Sequence, residues 1–221
     1  MAVDFSSPTY PYERVLTGAL TFKGAENIPY RLLRYLLDLP DGNGYTPPDD
    51  NAYPRCRLMK YLWYDGAKPL DHPLPGAQDK LSLLFDPDNP AINTDAERER
   101  HPKGYRMFMQ RVIGQSQLRA ESFLKCYVDH VQERRKFVST IGVTMEIWCN
   151  VNFQTNSRTW AYDRSWAMEQ CVREALDGVN MTGIGTVSFC AGDSPYNGSS
   201  TVYDEANNVG RAVRFSIAWH Q

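Results

Sequence analysis

The chain lacks any apolar run long enough to cross a bilayer. Its longest, around Leu36-Leu37, is short, where a spanning helix needs about 20 residues. CxxC pairs are absent as well: the five cysteines, Cys56, Cys126, Cys149, Cys171 and Cys190, stand far apart. An odd count at such spacing, partly inside apolar patterns, predicts reduced, buried thiols in a cytosolic protein rather than a disulfide framework. A formal net charge of −2 argues against a general nucleic-acid coat, which would be basic. The opening residues MAVDFSSPTYPYERV have neither a charged n-region nor an apolar h-region, so no signal peptide is expected.

Catalytic and metal-binding patterns are equally scarce. The four histidines, His72, His101, His130 and His220, form no HxxxH pair. Cys126 and His130 would share a face of a helix, but they offer two ligands where a zinc site needs about three or four. Asp86-Pro-Asp88-Asn89 begins like a calcium loop, yet Pro90 follows and the required glycine is missing. Glu146, on a strand, is better suited to cross-strand pairing than to catalysis. No GxSxG is present, and Ser194-Pro195 has no recognisable histidine partner. Gly183-Ile-Gly185 lies between a helix and a strand, the reverse of a dinucleotide turn. The expectation is a protein that is not an enzyme and holds no cofactor or metal.

What is present is an architecture. Over 140–153 the odd positions Ile141, Val143, Met145, Ile147, Cys149, Val151 and Phe153 are apolar and the even ones mostly polar or small. That alternation predicts one long strand with a buried face and a wetter one. Before it, 1–27 reads as an extended arm. Asn27 then caps a helix with Pro29 in its first turn and Ile28, Leu32, Leu33, Leu36 and Leu37 on its apolar face. Residues 40–54 are a loop by composition, 55–64 alternate as a strand, and 81–85 are a short apolar piece before an exposed stretch over 86–100. A strand is expected over 104–114, on Tyr105, Met107, Met109 and Ile113, and a helix over 115–131, with Leu118, Leu124, Tyr127, Val128 and Val131 inward. A second helix follows over 160–179, on Met168, Val172, Ala175, Leu176 and Val179, with Gly178 at its end. A short strand at 184–191, a long polar loop at 192–208 and a final strand at 211–220 complete the chain. The fold class is α+β, a mixed or antiparallel sheet packed on two main helices with an extended N-terminal region. Residues 1–103 read as an N-terminal elaboration and 104–221 as the domain proper.

Charge is distributed unevenly. Residues 97–136 hold ten Lys/Arg against five Asp/Glu, whereas 38–50 hold four Asp and no Lys or Arg. Opposite patches of this kind suit contacts with neighbours or with copies of the same chain. Candidate contact residues are Tyr196, Val202, Tyr203, Asp204 and Glu205 in the long loop, with Arg134, Arg135 and Lys136 on the basic side. Thirteen Tyr and five Trp suit extensive contact surfaces.

The succession TMEIWCNVN, AYDRSWAMEQCVREAL, GTVSF, a polar loop and a terminal VGRAVRFSIAWHQ resembles tailed-phage tail-terminator and tail-completion (neck) proteins, over roughly 104–221. The resemblance implies a virion structural protein at the head–tail junction, assembled in the host cytoplasm, typically as a homo-oligomeric ring of six. Its implied partners are the tail tube and head-completion or connector proteins, with no membrane and no sequence-specific nucleic acid. Another neck or baseplate component, or a non-catalytic cytosolic adaptor, is the alternative.

Overall fold

The computed structural model describes residues 27–41, 43–109, 122–135, 138–150, 163–181, 185–203 and 208–220. Its helices are α1 (Ile28–Leu36), α2 (Pro54–Trp63), α3 (Ala77–Ser82), α4 (Asp95–Arg100) and α5 (Arg164–Leu176), with a 3-10 turn at Pro69–Asp71. Its strands are β1 (Met107–Phe108), β2 (Ser122–Arg135), β3 (Val138–Asn150), β4 (Asn180–Met181), β5 (Gly185–Ser188), β6 (Gly198–Tyr203) and β7 (Asn208–His220). They form one mixed sheet in the order β1-β2-β3-β7-β5-β4, with β6 also paired to β7. β1 is parallel to β2; the other pairs are antiparallel.

β3 is the middle of that sheet. Its whole length pairs with β7, from Val138 opposite His220 to Asn150 opposite Asn208, and its other edge pairs with β2. Ile141, Val143, Met145, Ile147 and Cys149 are fully buried, as the alternation predicts. The opposite face departs from the expected wetter one, because Thr140, Thr144 and Trp148 are buried too. Positions 151–153 of the expected strand lie outside the described residues.

The helices cover the face that carries the odd β3 residues. α1 buries Ile28, Leu32, Leu33 and Leu36, with Pro29 in its first turn; Asn27 stands at the N-cap position, but in helical conformation and without the expected side-chain capping hydrogen bond. α5 starts where Asp163 Oδ1 accepts from Trp166 N at 2.7 Å, and it buries Met168, Cys171, Val172, Ala175 and Leu176. Gly178, at φ +73°, follows its end in the left-handed region that a side chain disfavours. The predicted helix was longer; 160–162 are outside the described residues. One hydrophobic cluster joins α1, α2 and α5 to β2, β3 and β7. Buried Arg164 ties the start of α5 to the loop after α2, donating to Tyr64 O and Gly66 O.

Two elements reverse the sequence reading. Residues 55–64, expected as a strand, form α2. Pro54 stands in the first turn, and Arg, Leu, Met and Lys without a β-branched residue favour a helix. The alternation was a coincidence: Met59, Lys60 and Tyr61 are buried alongside Cys56, Leu58 and Leu62. Over 115–131, where a helix was expected, the described part is β2. Leu124, Cys126 and Val128 face the core until a bulge inserts Asp129 between Val128 and His130, after which Val131 pairs with Ile141. That one-residue shift puts Leu124, Tyr127, Val128 and Val131 at helical spacing without a helix.

The remaining differences are smaller. Of the strand expected over 104–114, Met107 and Phe108 form β1, and 110–114 are outside the described residues. Residues 81–85 begin in the last turn of α3 and bring Leu84 to a parallel bridge with Met107. The exposed stretch over 86–100 holds α4, whose Thr94 and Glu97 side chains cap it reciprocally. The loop expected over 192–208 contains β6, which pairs with β7 from Gly198 opposite Arg214 to Tyr203 opposite Val209.

Candidate functional site

Of the residues proposed for contact, Tyr196 and Val202 lie on the sheet face away from the helices. The turn before β6 is built locally: Ser194 Oγ accepts from Tyr196 N at 3.3 Å, and Asn197 N donates to Ser194 O at 3.0 Å. Asn197 then fastens it down, donating through Nδ2 to Ser188 O, Cys190 O and Ser216 Oγ at 3.0, 2.8 and 3.1 Å. Tyr196 lies back over the sheet instead of projecting as a free contact residue. Its hydroxyl is 3.0 Å from Asp129 Oδ2 and 2.5 Å from Thr144 Oγ1. Its ring stacks against His130, with centroids 5.9 Å apart. Burial pushes the Tyr196 phenol up to about 12, and the Asp129 carboxylate acts in the same direction.

Val202 and Tyr203 point to opposite sides of β6. Val202 packs half-buried on an aromatic cluster of Phe85, Tyr105, Phe108, Phe123 and Trp148, whereas Tyr203 is 74% exposed. Arg134 and Arg135 occupy the C-terminal end of β2. Asp204, Glu205 and Lys136 lie outside the described residues.

Much of the uneven charge is neutralised within the chain. In the acidic stretch, Asp38 pairs with Arg55 at 2.8 Å and Asp49 with Lys60 at 2.7 Å. Asp41 and Asp50 accept from nearby backbone N–H groups. On the basic side, buried Arg106 and half-buried Lys103 share Asp65. Lys125 pairs with Glu146 at 3.3 Å, while Tyr127 Oη and Trp148 Nε1 donate to the same carboxylate at 2.6 and 2.9 Å. Glu146 is thus part of a cross-strand network.

A buried charge cluster escaped the sequence reading. Glu169 of α5 is 2% exposed and accepts from Arg211 Nε at 2.7 Å, Arg173 Nε at 2.8 Å and Ser199 Oγ at 2.9 Å. Arg211 also donates to Thr201 and Ser199 of β6 and lies over the Trp166 ring. Burial pushes the Glu169 carboxyl up, but the hydrogen bonds from Arg211, Arg173 and Ser199 outweigh it and hold it below its usual range. The cluster pins β6 and β7 to α5. Only the helical position of Glu169 was visible in the sequence, since its partners lie on distant strands.

The bulge at Asp129 also separates Cys126, in the core, from His130, on Tyr196. Among the described residues no group of three or more His, Cys, Asp or Glu could hold a metal ion. No helix among them is long and apolar enough to cross a membrane. No family model, curated protein or solved structure matches the chain.

Proposed function

We propose that the chain is a bacteriophage virion structural protein at the head–tail junction, a tail-terminator ring subunit that caps the tail tube and joins it to the neck. The observation that carries the reading is the ladder β2–β3–β7, in which strands of 14, 13 and 13 residues pair along their length. Between β3 and β7 the chain supplies α5 and β5, the helix and short strand of the family resemblance, together with β4 and β6, which that resemblance does not include. At about 3.3 Å per residue such strands reach ~45 Å, long enough to bridge adjacent subunits while α1, α2 and α5 back the sheet. The reading assigns the chain no catalytic step, and its contacts with tube, connector and copies of itself are protein surfaces.

Particle mass tests it. Light scattering on the purified chain, with and without isolated tail tubes, should find a species near six times 25.3 kDa, and electron microscopy should place it at a tube end. A monomer at every concentration that leaves tube ends bare would refute the ring.

A further inference from the structure

β4 is the last strand of the sheet, with β5 on its inner side. Beyond it, a groove of about 490 Å³ separates β4 from α1, with Arg31, Arg34, Tyr35, Arg55, Asn180 and Met181 among its lining residues. The strand presents backbone to this groove. Val187 N donates to Val179 O at 3.0 Å and Val187 O accepts from Gly178 N at 2.9 Å, so Val187 turns both backbone groups toward the β4 side, across a bulge at 178–179. Asn180, opposite Thr186, is the next position, and in an antiparallel ladder hydrogen-bonded pairs alternate with non-bonded ones. The Asn180 N–H and C=O therefore point away from β5, toward the groove.

The opposite wall carries planar cations. Arg34, in the last turn of α1, is exposed; it donates to Tyr30 Oη at 3.3 Å and has no ion pair among the described residues. Arg55 is held in place by Asp38 at 2.8 Å and by the Tyr35 ring, 4.7 Å from its guanidinium carbon. Asp38 is 2% exposed and is already engaged. The charge of Arg55 is thus met by Asp38, and Arg34 supplies the positive charge that faces the groove.

A strand edge with an outward donor and acceptor, beside a guanidinium group that matches carboxylates, fits an extended acidic peptide. We propose that the α1–β4 groove binds such a segment of a partner protein, which adds as a strand beside β4. Side chains two residues apart on that strand share a face, so one face of alternating carboxylates can be turned toward Arg34. A nucleic-acid phosphate chain would use Arg34 but leave the strand edge without a partner.

Fluorescence anisotropy with the full chain tests this, using a fluorescein-labelled octapeptide of alternating Asp and Val. Binding is expected, and Arg34→Glu should weaken it tenfold or more. The same peptide with alternate amides N-methylated keeps its charge but cannot add as a strand, and it should not bind. Asn180→Pro, tolerated on an edge strand, should reproduce that loss from the protein side. Equal binding of the N-methylated peptide, or no effect of Arg34→Glu, would overturn the proposal. So would binding of labelled oligo-dT in place of the peptide, or an Arg34→Glu change in self-association without peptide binding. The groove and the ring fail separately, since particle mass reports on one and peptide anisotropy on the other.

Discussion

The Tyr196 hydroxyl donates to Asp129 Oδ2 at 3.0 Å, joining residues 67 apart in sequence. Asp129 is the extra residue of the β2 bulge, so an irregularity of the ladder supplies the acceptor that fixes the turn before β6. Thr144, 2% exposed, shares the hydroxyl. Tyr196→Phe should therefore cost about 1–2 kcal/mol, because it leaves a buried hydroxyl without this partner. Urea unfolding reads the loss, and limited proteolysis should nick 190–197 sooner. Unchanged stability and cleavage would mean that the contact does not hold the turn.

Gly142 makes room for the same ring. A Cβ there would come 2.9 Å from Tyr196 Cε1 and 3.0 Å from His130 Cβ, closer than carbon atoms pack. Gly142→Ala should destabilise by roughly 1–3 kcal/mol through overpacking. In a Tyr196→Ala background most of that cost should vanish, and a double-mutant cycle measures the difference. Additive effects would locate the strain elsewhere.

Neighbouring positions on β3 face different surroundings, and both are closed. Ile147 is fully buried, so Ile147→Asp places an unpaired carboxylate in the core and should leave no cooperative unfolding transition. Trp148 is 6% exposed, lies near-parallel to Phe123 and donates to Glu146. Trp148→Ala should cost about 3–5 kcal/mol, in place of the mild effect an open face would allow. A urea midpoint close to wild type would show that the aromatic cluster contributes little.

α1, β3, α5 and β7 were legible because each carries one apolar stripe at one clear period. β2 was not, since the bulge changes the parity of its apolar positions and imitates a helix. α2 failed for the opposite reason: it is buried on several sides, so Cys56, Leu58 and Leu62 form no helical stripe and alternate by chance, and propensity was the better guide. The anchored turn left one trace, Gly142 inside a strand, which marks a close approach. Glu169, Arg211 and the groove beside β4 had none, because tertiary pairing between distant elements creates them.

All five cysteines are free, and Cys190 alone is exposed. Burial pushes the Cys171 thiol up to about 11 and the Cys149 thiol up to about 12, and it raises Cys126 and Cys56 as well. Thiol titration of the native protein at pH 8 should count one fast thiol per chain. The other four should react only in denaturant, because neither access nor thiolate is available in the fold. A second fast thiol would show an opening that exposes the core.

Glu169 should set part of the acid limit of stability. Its carboxyl is held below its usual range in the folded state, while in the unfolded chain it titrates near pH ~4.3. The folded state thus binds this proton less readily than the unfolded one, so the stabilisation is complete above the unfolded value. It is lost as pH falls from there through the folded value. Glu169→Gln deprives Arg211 and Arg173 of their shared carboxylate and should cost about 2 kcal/mol or more at pH 7, less than a fully buried pair because Arg173 is partly solvated. Asp65 and Asp49 are also held low and persist in the variant, so the wild-type-minus-variant difference isolates Glu169. Urea unfolding at pH 7, 5, 4 and 3 should show that difference shrinking below about pH 4. A difference that stays constant to pH 3 would mean that the carboxylate charge contributes nothing to holding β6 and β7 on α5.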